Sequence, residues 1–321
     1  MGKVTIIGSY IVAQVIDTER MPLEGETLTG RNYHVTHGGK GSNMACCASR
    51  LGADTTFFGK VGRDTAGDNF VELLRQERVS TKAVLHSDGL PTAVGFIICS
   101  RNGSNAILID IGANGSFTPE DLIARREAID GADVTLSPLE IPLETALAGA
   151  RMAAMQGKRA ILNPAPACDL RGCDLSAVFV LTPNETEARL CLGLAPDDKR
   201  DPAELGEELL QLGAQNVVIT LGGRGALWVS PNGLGEFPAL PVAVVDTVGA
   251  GDAFNAGLAV GLSEGFPLPE AIRMGVVAGS LSTTRRETID SYPYRDEVDR
   301  HLQKLARCQG TFDSHVALET A

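Results

Sequence analysis

Short apolar runs rich in β-branched residues alternate along this chain with longer stretches in which apolar residues recur every three or four positions. The runs at 4–7, 55–62, 134–136, 160–162, 178–181 and 217–221 predict buried strands. Between them, 42–51, 64–77, 143–156, 185–192, 202–212 and 253–262 carry a helical pattern. Strands separated by helices imply an α/β fold, with a mostly parallel central sheet flanked on both faces. Two stretches break the rhythm. Residues 25–36 and 92–110 show no helical period and read as β-hairpin material, with Arg101-Asn102-Gly103 as a turn between two apolar runs. They predict a small separate β-sheet, able to cover a site and exclude water. A plain edge extension of the main sheet is the alternative. The expected division is a main domain of residues 1–10, 37–91 and 111–310, a β lid of 11–36 and 92–110, and a tail at 311–321. Residues 310–321 show little pattern.

Composition narrows the function. The 321 residues carry a net charge of −12 and only 5% aromatics, which disfavours nucleic acid and anionic membrane surfaces as partners. No run is long and apolar enough for a membrane span, and the opening MGKVTIIGSYIVAQVI reads as a first core strand rather than a signal peptide. The seven cysteines are odd in number and lack C-x-x-C spacing, so reduced thiols in a cytoplasmic protein are expected, with no zinc site.

Four polar, glycine-rich segments carry candidate chemistry. In Asp246-Thr247-Val248-Gly249-Ala250-Gly251-Asp252, a β-branched run enters a Gly-Ala-Gly turn and a helix leaves it. Helix N-termini offer free N–H groups and the positive dipole end, and glycine lets a phosphate approach the backbone. Asp252 stands where it could take a proton from an attacking hydroxyl. An N-cap aspartate explains it as simply. His37-Gly38-Gly39-Lys40-Gly41-Ser42-Asn43 precedes a small-residue helix. Lys40 is a candidate phosphate or hydroxyl contact and Asn43 a hydroxyl contact, although Walker A spacing is absent. Thr182-Pro183-Asn184-Glu185-Thr186-Glu187 follows a strand. Asn184 and Glu187 are suited to a hydrated Mg²⁺ there, or to an ordinary helix cap. Thr220-Leu221-Gly222-Gly223-Arg224-Gly225 reads, taken alone, as a hairpin turn.

Taken in order, GGKGSN, NPAP, TPNETEA, ITLGGRG and DTVGAGDAFNAG resemble the ribokinase-like, or PfkB, family of sugar kinases, over residues 4 to about 293. GETLTG, GGKGSN and PNETEAR bring the chain nearest the ribokinase branch. The resemblance implies an α/β domain with a β lid and Mg·ATP as phosphoryl donor. It implies Asp252 as base, with the Gly249–Ala250–Gly251 backbone as anion hole. It implies Asn184, Thr220, Gly222 and Gly225 at the nucleotide and Glu187 near magnesium through water. Gly39, Lys40, Asn43 and Glu140 fall on the substrate side, and the lid would pair two subunits into a homodimer.

Two departures stand out. Family members carry G-S-x-N-x-D after the first strand, whose Asn and Asp hold sugar hydroxyls; here Ile11 and Ala13 occupy those places. A site lacking those partners should bind D-ribose poorly, unless a local shift brings Gln14 or Asp17 into the role. The family's monovalent-cation (K⁺) site has its first loop in Asp246 and Val248. In its second loop Glu287 stands where the family has glycine, which counts against potassium activation. The leading expectation is therefore an ATP-dependent kinase for a sugar or sugar-like molecule other than plain ribose. The alternatives are a nucleoside kinase and a catalytically silent ligand-binding protein on the same scaffold.

Overall fold

The computed structural model describes residues 1–102 and 104–316, with residues 306–316 as backbone only. In chain order the strands are β1 Lys3–Ile7, β2 Ile11–Thr18, β3 Arg31–Gly38, β4 Asp54–Gly62, β5 Ser80–Ser87, β6 Val94–Ser100, β7 Asn105–Asp110, β8 Val134–Pro138, β9 Arg159–Asn163, β10 Val180–Leu181, β11 Val217–Thr220, β12 Ala226–Ser230 and β13 Gly233–Phe237. The helices are α1 Lys40–Arg50, α2 Thr65–Gln76, α3 Pro119–Ala124, α4 Glu127–Asp130, α5 Leu143–Met155, α6 Glu185–Cys191, α7 Pro202–Leu210, α8 Ala250–Ser263, α9 Leu268–Ser282 and α10 Arg295–Val316.

Nine strands form the main sheet, in the order β13-β12-β11-β10-β9-β8-β1-β4-β5. It is parallel from β11 to β5 and antiparallel at the β12–β13 edge. Buried strands such as β1 (KVTII) and β8 (VTLSP) lack alternation because helices cover both faces. One core lies on the α1, α8 and α9 side, around Met44, Phe57, Phe254 and Tyr292. The other lies on the α5, α6 and α7 side, around Ile7, Phe58, Leu162 and Leu205.

The second sheet runs β3-β2-β6-β7. Its strands come from residues 11–38 and 94–110, so β3 continues two residues past the expected boundary at 36. The stretch 25–30 is not a strand; β3 pairs instead with β2, which the hairpin reading had not included. The expected turn at 101–103 joins β6 to β7, although Gly103 lies outside the described residues.

Other boundaries moved for local reasons. The run at 178–181 is strand only at Val180–Leu181, because Val178 N–H closes a turn on the Leu175 carbonyl (2.8 Å). Helix α2 is capped by Asp64, whose side chain accepts the Gly67 N–H. Helix α10 carries helical backbone through Val316, into the stretch that showed little pattern; residues 317–321 lie outside the described residues. No described helix is long and apolar enough to cross a membrane. The described cysteines are all free thiols, and the side chain of Cys308 lies outside the described residues.

Candidate active site

The turn at 249–252 sits at the mouth of the main sheet and opens α8. Gly249 is the N-cap residue, with φ +79°, a left-handed conformation that an L side chain adopts only under strain. Ala250 N–H reaches the Thr247 carbonyl only at 3.3 Å. The first-turn N–H groups of this 14-residue helix therefore face outward with its dipole behind them.

The turn separates two environments. On one side lies a cavity of about 460 Å³, lined by Ala250, Gly251, Thr220, Gly222, Gly223 and Gly225. Its apolar wall comes from Leu240, Val242, Val244, Phe254 and Val276, and Thr283 and Ser280 close it. On the other side is a cluster of buried charge. Asp252 is 5% exposed, and its Oδ2 accepts the Asn43 Nδ2–H at 2.8 Å. Glu140 accepts hydrogen bonds from the Ser9 hydroxyl and from the Lys40 backbone N–H (2.7 Å). Gly39, with φ +93°, makes the sharp entry that delivers Lys40 to the first position of α1.

These charges feel one another. Burial pushes the Asp252 carboxyl up, against the pull of Lys40 and the Asn43 hydrogen bond. Glu140 and Glu187 are pushed up by burial too. The Lys40 ammonium is held above its ordinary value, by Asp252 foremost and by Glu140 and Glu187 with it. Three carboxylates thus surround one lysine. Such an excess of negative charge suits a hydrated divalent cation, whose waters bridge to the protein. Among the described residues no group of three or more His, Cys, Asp or Glu side chains is placed to hold a metal ion directly.

Asn184 and Glu187 form a reciprocal capping box at the start of α6. Asn184 Oδ1 accepts the Glu187 N–H, and Glu187 Oε2 accepts the Asn184 N–H, each at 2.8 Å. The helix-cap reading is therefore realised. The cap occupies one lone pair of Asn184 Oδ1 and leaves the other, with the Nδ2 donors, for a further contact. An isolated parallel bridge sets Asn184 beside Thr220. The Thr220–Gly225 segment is also the hairpin turn between β11 and β12, and its glycines line the cavity as well.

Asp246 points back into its own loop, its Oδ1 accepting the Val248 N–H at 3.0 Å. Val248 is exposed. Glu287 keeps a glycine-like φ of +69°, and its carboxylate lies 3.9 Å from His34 of β3. The β-branched run that enters the turn from Val244 forms no strand, and Val244 and Thr247 line the cavity instead.

Tyr292 belongs to no motif of recognisable spacing. Ser9, Thr182 and Asn255 stand inside the segments singled out in the sequence, which assigned them no role of their own. Thr182 and Asn255 are linked at 2.6 Å, with Asn255 Nδ2 donating to the Gly251 carbonyl at 2.8 Å. That pair ties the strand β10 end to the turn.

Comparison with known proteins gives the same architecture. The model of the pfkB family carbohydrate kinases matches residues 1–295. The chain is 35% identical over 301 residues to a ribokinase of Haemophilus influenzae, covering 93% of this chain and 98% of that one. It is 32% identical over 302 residues to a deoxyribokinase of Salmonella typhi, with 93% and 98% covered. The structure of Arabidopsis thaliana ribokinase complexed with ribose and ATP superposes with a TM-score of 0.82 at 28% identity, covering 93% of this chain and 98% of that one. This chain belongs to the pfkB family of carbohydrate kinases, phosphotransferases that act on hydroxyl groups.

Proposed function

We propose that this protein transfers the γ-phosphoryl group of ATP to a hydroxyl of a sugar or sugar-like molecule other than plain D-ribose. The observation that carries the reading is the position of the 249–252 turn, between a cavity with an apolar wall on one side and buried Asp252 on the other. The cavity takes the nucleotide, with Thr220, Gly222, Gly225 and the Asn184 amide along it. The backbone N–H groups of Gly249, Ala250 and Gly251, of which that of Ala250 has only its 3.3 Å bond to the Thr247 carbonyl, hold the transferring phosphoryl oxygens, where preorganised donors act most strongly. Asp252, oriented by Asn43, takes the proton of the attacking hydroxyl. Lys40 neutralises charge on the substrate side, and Glu140 fixes the Gly39–Lys40 loop through its two hydrogen bonds. Glu187 would hold a magnesium ion through water, and that ion would supply charge neutralisation at the phosphates. The Asp246–Val248 loop remains the place for a monovalent cation, against which the side-chain oxygen already bonded within the loop and the glutamate at 287 both argue.

The substrate side favours a less hydroxylated ligand. Ile11 and Ala13 are both buried on β2, level with Gly38 and Gly95. A Cβ on Gly95 would lie 3.4 Å from Ile11, and one on Gly38 3.7 Å from Ala13, so the four share one apolar face. Such a wall offers no partner to a sugar hydroxyl and would suit a deoxygenated carbon or a nucleoside base. The deoxyribokinase among the relatives is in keeping with the first.

The test is a coupled ADP-release assay over sugars, deoxy sugars, polyols, sugar acids and nucleosides. A sugar-class acceptor should give saturable turnover, and Asp252→Asn should lower kcat by roughly 10²–10⁴-fold while Mg·ATP still binds. Nucleosides alone as acceptors would favour the second reading. Absence of turnover on every acceptor, or near-normal kcat in Asp252→Asn, would overturn the assignment.

A further inference from the structure

One buried side chain abuts the catalytic turn and has no place in the chemistry above. Tyr292 follows the single 3-10 turn Ile289–Ser291 and is 0% exposed. Its main chain is fixed at both ends. The N–H donates to the Ile289 carbonyl (3.2 Å), and the carbonyl accepts from Arg50 Nη1 (3.4 Å). The ring belongs to the same core as Met44, Cys46 and Cys47 of α1. The phenol oxygen reaches the turn itself: a Cβ built on Gly249 would lie 2.7 Å from Oη. Yet Oη has no hydrogen-bond partner.

Burial holds the phenol protonated, and the nearby charge of Asp252 reinforces this. The hydroxyl is thus a donor aimed at the turn with nothing to donate to. Buried polar groups are almost always paired, and an unpaired one costs stability that phenylalanine would not. The turn can provide the partner. The N–H and C=O of a planar trans peptide point in opposite directions. A peptide whose N–H swings toward a phosphoryl oxygen therefore swings its carbonyl inward. A Cβ on Gly249 would run into Tyr292 Oη, so the phenol fills the space beside this peptide, and Gly249 lacks the Cβ that would hinder the rotation toward it.

We propose that Tyr292 is a positioning residue, whose hydroxyl donates to the turned-in carbonyl of the Val248–Gly249 peptide and holds the turn in its phosphoryl-binding form. This rests on the kinase reading above, and the two can fail separately. Tyr292→Phe removes one oxygen and leaves the packing intact. Its Tm without ligand should equal or exceed that of the wild type. Its kcat should fall about tenfold, the worth of one hydrogen bond made only in the transition state, with KM for ATP little changed. An unchanged kcat would mean a hydroxyl without a role and overturns the proposal. So would a fall in kcat accompanied by a lower Tm, since packing would then explain it. Wild-type turnover is the control: without it the kinase reading fails first, and this one with it.

Discussion

At the residue scale the site is an arrangement of charges in a place that resists them. Asp252 must be ionised to accept a proton, and burial raises its pKa. Activity is therefore complete above the folded pKa and lost as pH falls through it, with the acid limb above the ordinary aspartate value of about 3.9. Lys40 works against burial by favouring the carboxylate. Lys40→Met should move the acid limb of log kcat to higher pH and lower kcat at neutrality. A limb that stays in place would mean the lysine charge does not reach Asp252. Much of this cluster was legible beforehand, because Lys40, Asn43, Asp252 and Glu187 each stand at a helix start with a recognisable turn before it. The partners of Ser9 and Tyr292 were not legible, although Ser9 itself stands in the segment after the first strand. Each lies against a residue more than 40 positions away in sequence, Ser9 against Glu140 and Tyr292 against Gly249, and neither contact leaves a periodic or spacing signal.

At the element scale the strand β2 decides what the site can hold. Its inward positions alternate, so Ile11 and Ala13 present one face together while Val12 and Gln14 present the other. Gln14 is thus turned to the opposite face from the two buried apolar positions, and Asp17 lies near the far end of the strand, bonded to Asn32 at 2.9 Å. Neither reaches the place of the missing polar pair. Restoring it, Ile11→Asn with Ala13→Asp, should raise kcat/KM on D-ribose relative to the native substrate by roughly tenfold or more, since sites that hydrogen-bond a hydroxyl discriminate strongly. Efficient use of D-ribose by the unaltered protein, above about 10⁴ M⁻¹s⁻¹, would contradict the reading of this strand. The sequence pattern placed the 92–110 hairpin correctly, but it read residues 25–36 as a hairpin where β3 pairs instead with β2. Periodicity identifies strands; it does not say which neighbour each will choose, and β2 pairs with β3 and β6 across a long connection.

At the scale of the whole molecule, the second sheet is unfinished. Its outermost strand β7 is exposed along its whole length, with Ile107, Leu108 and Ile109 at 55%, 73% and 46% exposure. Long apolar edges of this kind are a liability unless something covers them. We expect a second copy of the chain to do so, lid against lid. Sedimentation or light scattering should find a dimer, and Ile107→Asp with Leu108→Asp should give a monomer whose α/β domain melts at a similar temperature. A monomeric wild type would place the edge in contact with something else. The parallel order of the main sheet followed directly from alternating strands and helices. The antiparallel β12–β13 edge, with its Gly233–Phe237 strand, did not, because that strand carries too few β-branched residues to announce itself.

The hydrogen bond between Asn43 and Asp252 joins residues 209 positions apart, and the cavity beside the turn is lined also by Ser280 and Thr283. A ribosome that has made the first two thirds of this chain has therefore made the helix bearing Lys40 and most of the sheet, but neither Asp252 nor the far wall of that cavity. The active centre comes into existence as one of the last events of synthesis, and long-range pairings of this kind are slow to close.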